Sequence, residues 1–275
     1  ILIKAEHFLF RCPVKSSAEC SKKRFHMLKE DLNGKIALIT GASNGIGRAT
    51  ARLLADKGAT VVVGYHSSRE RAEEVCVSLP KSGHFIFQIS IDKPASVKDT
   101  ASEIKRRFGK LDILINSAGM TRPIPHSDLD ALDEEVFNKF LHLNAGGPFS
   151  TIRHHMPLLK AAGQSVVINV SSISAFTGSG SNIAYCAAKG ALDTMTKSFA
   201  RTFGPEVRFL CVSPAAVATD FVAGRDRDAL EKGALSTPLK TVVEPEDIAN
   251  AILSCITHLR MSTGTNIVVD GGRHL

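Results

Sequence analysis

The chain has 275 residues, 44% of them hydrophobic and 22% charged, with 21 Gly, 14 Phe, 2 Tyr and no Trp. That balance excludes a disordered chain and a disulfide-stapled miniprotein, and it leaves one large α/β domain or two small ones around an aliphatic core. The formal charge of +7 would permit a polyanionic partner, so its distribution along the chain matters.

Residues 1–30 carry seven Lys or Arg and three Asp or Glu, a net of +4, while the other 245 residues share only +3. The first segment has no sustained hydrophobic period, and residues 1–26 read as an N-terminal extension outside the fold: a cloning remnant, a translated upstream region or a basic arm. The apolar stretch His7–Phe10 is too short for a signal core, and no small-residue cleavage pattern follows it. From Met27 the stretch MLKEDLNGKIALIT reads as a turn feeding a buried strand, so residues 27–275 are expected to form the folded part. Apolar runs of strand length then recur at Ile36–Ile39, Val61–Val63, Phe85–Ile89, Ile113–Ile115, Val166–Val170, Val207–Val212 and Ile267–Val269. Continuous Val, Ile and Leu runs suit strands covered on both faces, and the helical patterns between them imply parallel strands joined by right-handed crossovers. The fold expected is a single-domain, doubly wound α/β sheet of about seven parallel strands with helices on both faces. Pro214 to Lys240, the least regular long segment, is the candidate lid.

Six cysteines, Cys12, Cys20, Cys76, Cys186, Cys211 and Cys255, form no CxxC pair and have no His at zinc-ligand spacing. No metal site is expected, and a reducing, cytoplasmic compartment fits best. Ala161–Ala188 lacks any Asp, Glu, Lys, Arg or His and is long enough to span a bilayer, but it is laced with Ser, Gly and Asn. It therefore reads as a buried strand running into an enclosed site, not as a membrane span.

Directly after the first strand comes TGASNGIGRATARLLADKG, with Gly41, Gly45 and Gly47 spaced GxxxGxG. A turn of this kind lets a pyrophosphate approach bare backbone at a helix N-terminus, whose unpaired N–H groups and dipole favour an anion. The stricter GxGxxG fingerprint is absent. At this point the chain resembles the short-chain dehydrogenase/reductase family, whose version of the turn is TGxxxGxG. The resemblance continues through Asn116-Ser117-Ala118-Gly119, where the family usually has NNAG, Asn144 in LNAGGPF, Ser172 in INVSSIS, and Tyr185 and Lys189 in YCAAK. It ends with SPAAVATD, where the family usually has PGxxxTD, and VVDGG. Some members with endings like TPLKTVVEPEDIA are 3-oxoacyl-ACP reductases.

The resemblance implies a catalytic tetrad. Tyr185 would be the general acid/base, Lys189 would lower its pKa and hold the nicotinamide ribose, Ser172 would bond the substrate oxygen, and Asn144 would fix a water relaying protons to Lys189. Tyr185 and Lys189 are four apart on a helical pattern, so they share a face. An ammonium about 4 Å from the phenol supplies about 4 kcal/mol at an effective dielectric near 20, enough to bring a pKa of ~10 down by about three units. Ser171 is the nearest competitor for the serine role. Cofactor contacts are implied for Gly41, Ser43, Asn44, Gly45, Ile46 and Gly47 in the turn, for Asn116, Ala118 and Gly119 after the fourth strand, for Tyr185 and Lys189, and for Pro214, Val217 and Thr219 after the sixth.

After the second strand the chain reads VVVGYHSSRER. An unphosphorylated cofactor usually meets an acid there, and a 2′-phosphate requires that acid to be missing. Tyr65 stands in the acid's place, followed by His66, Ser67, Ser68 and Arg69. NADP(H) is therefore favoured, with NAD(H) as the alternative, since Asn44 stands where phosphate-preferring relatives often carry Arg or Lys. Ser90 replaces a common Asp at the adenine position, and Ala215 replaces the usual Gly after Pro214.

The substrate wall is expected from Met120, Phe176, Ile183, Phe221 and Leu239, an apolar pocket, with Arg122, Arg225 and Arg227 expected to be solvated. The activity so implied is hydride transfer between nicotinamide and a small-molecule carbonyl or secondary alcohol. A 3-oxoacyl-ACP reductase and a non-catalytic cofactor sensor are the rival readings. A sensor would have no need of all four tetrad residues together. Relatives usually assemble as homotetramers through helices around Asn144–Leu159 and Tyr185–Phe203. No nucleic-acid or membrane partner is expected.

Overall fold

The computed structural model describes residues 31–275; the proposed extension, residues 1–26, lies outside them. Seven parallel strands form one sheet in the order β3-β2-β1-β4-β5-β6-β7. They are β1 (Ile36–Thr40), β2 (Thr60–Tyr65), β3 (Phe85–Gln88), β4 (Ile113–Asn116), β5 (Ser165–Val170), β6 (Val207–Pro214) and β7 (Thr265–Val269). Each contains or overlaps a run anticipated from the sequence. The helices are α1 (Gly45–Asp56), α2 (Arg69–Ser78), α3 (Pro94–Phe108), α4 (Glu134–Leu141), α5 (Gly147–Ala161), α6 (Ser174–Thr177), α7 (Ile183–Phe203), α8 (Arg227–Ala234) and α9 (Pro245–Thr257).

Strand alternation divides the core into two layers. Ala37, Ile39, Val61 and Val63 point to the side of α1, α2 and α9, where they meet Leu54, Val75, Ile248 and Ile252. Ile36, Leu38, Val62 and Val167 point the other way, onto Ile104 of α3, Ile152 and Leu159 of α5, and Ala200 of α7. Both faces are thus covered, which is why the strands carry unbroken aliphatic runs.

The chain reverses its winding between β1 and β4, so the carboxyl ends of these two strands diverge into a crevice. Polar side chains fix that edge. The Thr40 Oγ1 accepts from the Ser117 and Ala118 N–H groups, each at 3.1 Å. The Asn116 amide donates to Asn169 Oδ1 at 2.8 Å, the Thr151 hydroxyl donates to Asn116 Oδ1 at 2.6 Å, and the Asn169 amide donates to Thr196 Oγ1 at 2.8 Å. This buried network ties β4 and β5 to α5 and α7, so every amide and hydroxyl in it has a partner. No helix among the described residues is long and apolar enough to cross a membrane.

Candidate active site

A cavity of about 620 Å³ opens at the carboxyl ends of the strands. One wall is the glycine turn. Gly41 and Gly45 have φ of +67° and +49°, left-handed values that disfavour any Cβ. Gly47 serves a different purpose: a Cβ there would stand 2.3 Å from the Gly41 carbonyl oxygen. Asn44 caps α1 by accepting from the Gly45 N–H at 2.8 Å, and no acid lies in the first turn. The helix start therefore offers positive potential to the cavity.

The opposite wall carries the chemistry. β5 ends at Val170 and delivers Ser171 and Ser172. The Ser172 hydroxyl donates to Ser174 Oγ and accepts from the Ser174 N–H, both at 3.1 Å. Asn182 caps α7, accepting from the Tyr185 N–H at 2.7 Å, which seats Tyr185 in the first turn and Lys189 one turn later on the same face. Both are buried. The Lys189 Nζ lies 5.5 Å from the centre of the Tyr185 ring and donates to the Val170 carbonyl at 2.8 Å.

Burial pushes the Tyr185 phenol up from its ordinary value; a hydrogen bond with Ser172 and the charge of Arg225 pull the other way. Burial pushes Lys189 down to about 8. The phenol is thus held protonated, against the downward shift expected from Lys189. Burial is the largest influence on the phenol, and the Lys189 ammonium is engaged with a backbone carbonyl.

The cavity brings together Gly41, Asn44, Gly45, Ile46, Ala118 and Gly119 on one side and Ser172, Tyr185, Lys189, Pro214, Val217 and Thr219 on the other. It does not bring in Ser43, Gly47, Asn116 or Asn144. The Asn116 amide is committed to the network behind the site. Asn144 sits in a π-helical turn, His142–Gly146, between α4 and α5. Its amide donates to the Met120 and Phe140 carbonyls, both at 2.9 Å, and its Oδ1 accepts from the Met120 N–H at 3.2 Å. Both amide hydrogens are spent on shaping the chain beside Gly119.

Tyr65, His66, Ser67 and Ser68 also lie beyond this cavity. Tyr65 packs on α2, while His66 and Ser67 are exposed. Tyr65 borders a second recess with Arg69, Gln88, Lys93 and Ser96. Arg69 is exposed and paired with Glu73 at 2.8 Å. Ser171 lines the cavity as well, but its hydroxyl has no hydrogen-bond partner. Ala215 is not among the described residues with positive φ, so the methyl group there causes no backbone strain.

The substrate wall differs most from expectation. Of the five apolar residues anticipated, only Phe221 lines the cavity; its ring stands 6.2 Å from that of Tyr185. Leu239 is 71% and Phe176 50% exposed. Thr121, Ser174, Thr177, Ser179, Ser181, Arg225, Arg273 and His274 line the cavity instead. Arg225, expected in solvent, is half-buried there, whereas Arg122 and Arg227 are exposed. Arg273 and His274 enter from the C-terminal tail, and no motif in the sequence marks them.

A family profile described as Enoyl-(Acyl carrier protein) reductase matches residues 41–274. A Streptomyces violaceoruber protein assigned as ketoacyl reductase 2 of the granaticin polyketide synthase is 38% identical over 243 residues, 87% of this chain and 96% of its own length. The cis-4-hydroxycyclohexanecarboxylate dehydrogenase of Sinomonas cyclohexanicum is 32% identical over 242 residues, 86% of this chain and 96% of its own. The crystal structure of a short-chain dehydrogenase/reductase from Brucella melitensis superimposes with a TM-score of 0.82 at 27% identity, covering 90% of this chain and 100% of that one.

Proposed function

The chain belongs to the short-chain dehydrogenase/reductase family of oxidoreductases, and from that premise we propose that it is an NADP(H)-dependent carbonyl reductase or secondary-alcohol dehydrogenase. The observation that carries this reading is that Ser172, Tyr185 and Lys189 face the glycine turn and the open N-terminus of α1 across one cavity. The donor set fits a dinucleotide: bare backbone and a helix dipole for a pyrophosphate, with a buried ammonium beside a phenol at the far wall. When bound, the nicotinamide supplies or accepts the hydride.

In the reducing direction, the substrate carbonyl oxygen lies between the hydroxyls of Ser172 and Tyr185. Ser172 donates a hydrogen bond that strengthens as negative charge builds on that oxygen. Tyr185, held protonated by burial, gives up its proton as the hydride arrives at carbon. Lys189 keeps one donor on the Val170 carbonyl and would offer its others to the ribose of a bound nicotinamide cofactor and to the phenolate. Asn144 acts through the Met120 backbone it straps.

NADP(H) is preferred in this reading because Tyr65 and exposed hydroxyl and imidazole groups stand where an acid would repel a 2′-phosphate. The four described cysteines are free thiols, in keeping with a cytoplasmic protein. The test is NADPH oxidation with a panel of ketones, aldehydes and 3-oxoacyl thioesters. Tyr185→Phe is expected to lower kcat/KM by about a thousandfold. Unchanged turnover in that variant refutes the mechanism, and NADPH binding without turnover on any carbonyl supports a cofactor sensor instead. A preference for carrier-bound thioesters would favour the 3-oxoacyl reductase reading.

A further inference from the structure

Arg225 lies on the lid just before α8, half-buried against the cavity. Its side chain makes no ion pair or hydrogen bond among the described residues, whereas its neighbour Arg227 is paired with Glu231 at 2.9 Å and Glu244 at 2.6 Å. Arg273 reaches the same cavity from the C-terminal tail, with one contact to the Gly233 carbonyl at 3.3 Å. Both arginines line the one cavity, and burial and then the charge of Arg273 push the Arg225 pKa down.

Among the described residues neither arginine is ion-paired with a carboxylate. Asp270 is fully engaged, accepting from the Gly272 N–H, the His274 N–H and His274 Nδ1 at 2.9, 2.9 and 2.7 Å. Asp220 lies toward the glycine turn, 3.5 Å from the Asn44 amide. Arg225 is half-buried beside the exposed Arg273, and a half-buried cation facing a like charge without a counter-ion is unfavourable unless a ligand supplies it.

We propose that the substrate carries a carboxylate on the same small molecule as its carbonyl, and that Arg225 and Arg273 bind this carboxylate while Ser172 and Tyr185 take the carbonyl oxygen. The inference rests on the reductase reading and names the substrate class for that site. Planar guanidinium forks suit a carboxylate bidentately. The anion is placed on the substrate and not on a carrier because Arg225 and Arg273 line the same cavity as Ser172 and Tyr185. A phosphate at the far end of a thioester carrier arm lies many bonds from the reacting carbonyl. The cofactor diphosphate, in turn, belongs at the glycine turn, beside Asn44.

The test compares kcat/KM for open-chain and cyclic oxo acids with their methyl esters, using NADPH. Acids are expected to be favoured at least about tenfold, and Arg225→Gln and Arg273→Gln each to collapse the acid-to-ester ratio through the KM of the acid. Arg225→Lys, which keeps the charge and loses the fork, should retain part of the preference and so separates recognition from packing. Equal treatment of acids and esters by the wild type, or a rise confined to the KM of NADPH, overturns the proposal. Calorimetric titration of the acids reads binding without turnover. Acids that bind through the arginines but are not reduced would sink the reductase reading and sustain this one; esters reduced as well as acids would do the reverse.

Discussion

His155 faces the sheet from the inner side of α5 with no exposed surface. Its Nδ1 bonds the Thr151 carbonyl at 2.8 Å, and Nε2 has no partner. Burial, with a smaller contribution from His154, pushes its pKa from 6.5 down to about 4, against the Thr151 bond. Between those values the unfolded chain takes up a proton that the folded one refuses. Stability is therefore full above the unfolded pKa and falls as pH drops through the window, by up to about 3 kcal/mol. His155→Leu is expected to flatten this acid limb, as read by urea unfolding at steps from neutral pH to the lower value. Parallel curves for variant and wild type would show that another group titrates. At this scale Ser172, Tyr185 and Lys189 are legible as neighbours because their spacing sets them on a strand end and one helix face, whereas Asn144 lies outside the cavity they line. Arg225 is not legible: in VAGRDRD nothing distinguishes it from Arg227, and only the path of the lid turns one inward while the other pairs with Glu231 and Glu244. The upward push on Tyr185 comes from burial, which residue spacing in a sequence does not display.

The three glycines of the β1–α1 turn have distinct tasks, and the third gives the sharper test. Gly47 needs no positive φ, yet a Cβ there would sit 2.3 Å from the Gly41 oxygen and 2.9 Å from the Ala42 Cα. The nearest atoms all belong to the backbone of Gly41 and Ala42, so no flexible side chain can yield. Gly47→Ala is expected to cost about 1–3 kcal/mol of stability and, by moving the N-terminus of α1 off the turn, to weaken NADPH binding at least about tenfold. Thermal unfolding and a fluorescence titration measure the two effects. A variant that loses stability but binds normally would restrict Gly47 to packing. The strands were legible as elements because burial on both faces writes continuous aliphatic runs, and the register confirms the crossover order. The π-helical turn at His142–Gly146 had no such signature. It inserts an extra residue where Asn144 must reach the Met120 backbone, a demand set by a partner 24 positions away. The apolar wall was misjudged for a related reason. Phe176, Ile183 and Leu239 occur in the right segments, but each segment presents its Ser, Thr or Arg residues to the cavity.

At the level of the whole molecule, two surfaces lack the cover that the rest of the sheet enjoys. On the side of α5 and α7, Phe149 is 47% exposed and stacks on Phe199 at 6.2 Å, which in turn stacks on Phe209 of β6 at 5.3 Å. At the sheet edge, β7 leaves Val268 37% exposed and Ile267 only part-covered. The 245 residues from 31 onward share only +3, so little charge repulsion opposes self-association. Were the chain to assemble as the homotetramer expected from the family resemblance, the helical side would be one surface to bury, and each stable interface would need about 1,200–2,000 Å². If the wild type is oligomeric by light scattering, Phe149→Glu is expected to lower that mass while far-UV circular dichroism stays native. A wild-type chain that is monomeric at micromolar concentration would mean that the exposed aromatic and edge residues serve no subunit contact.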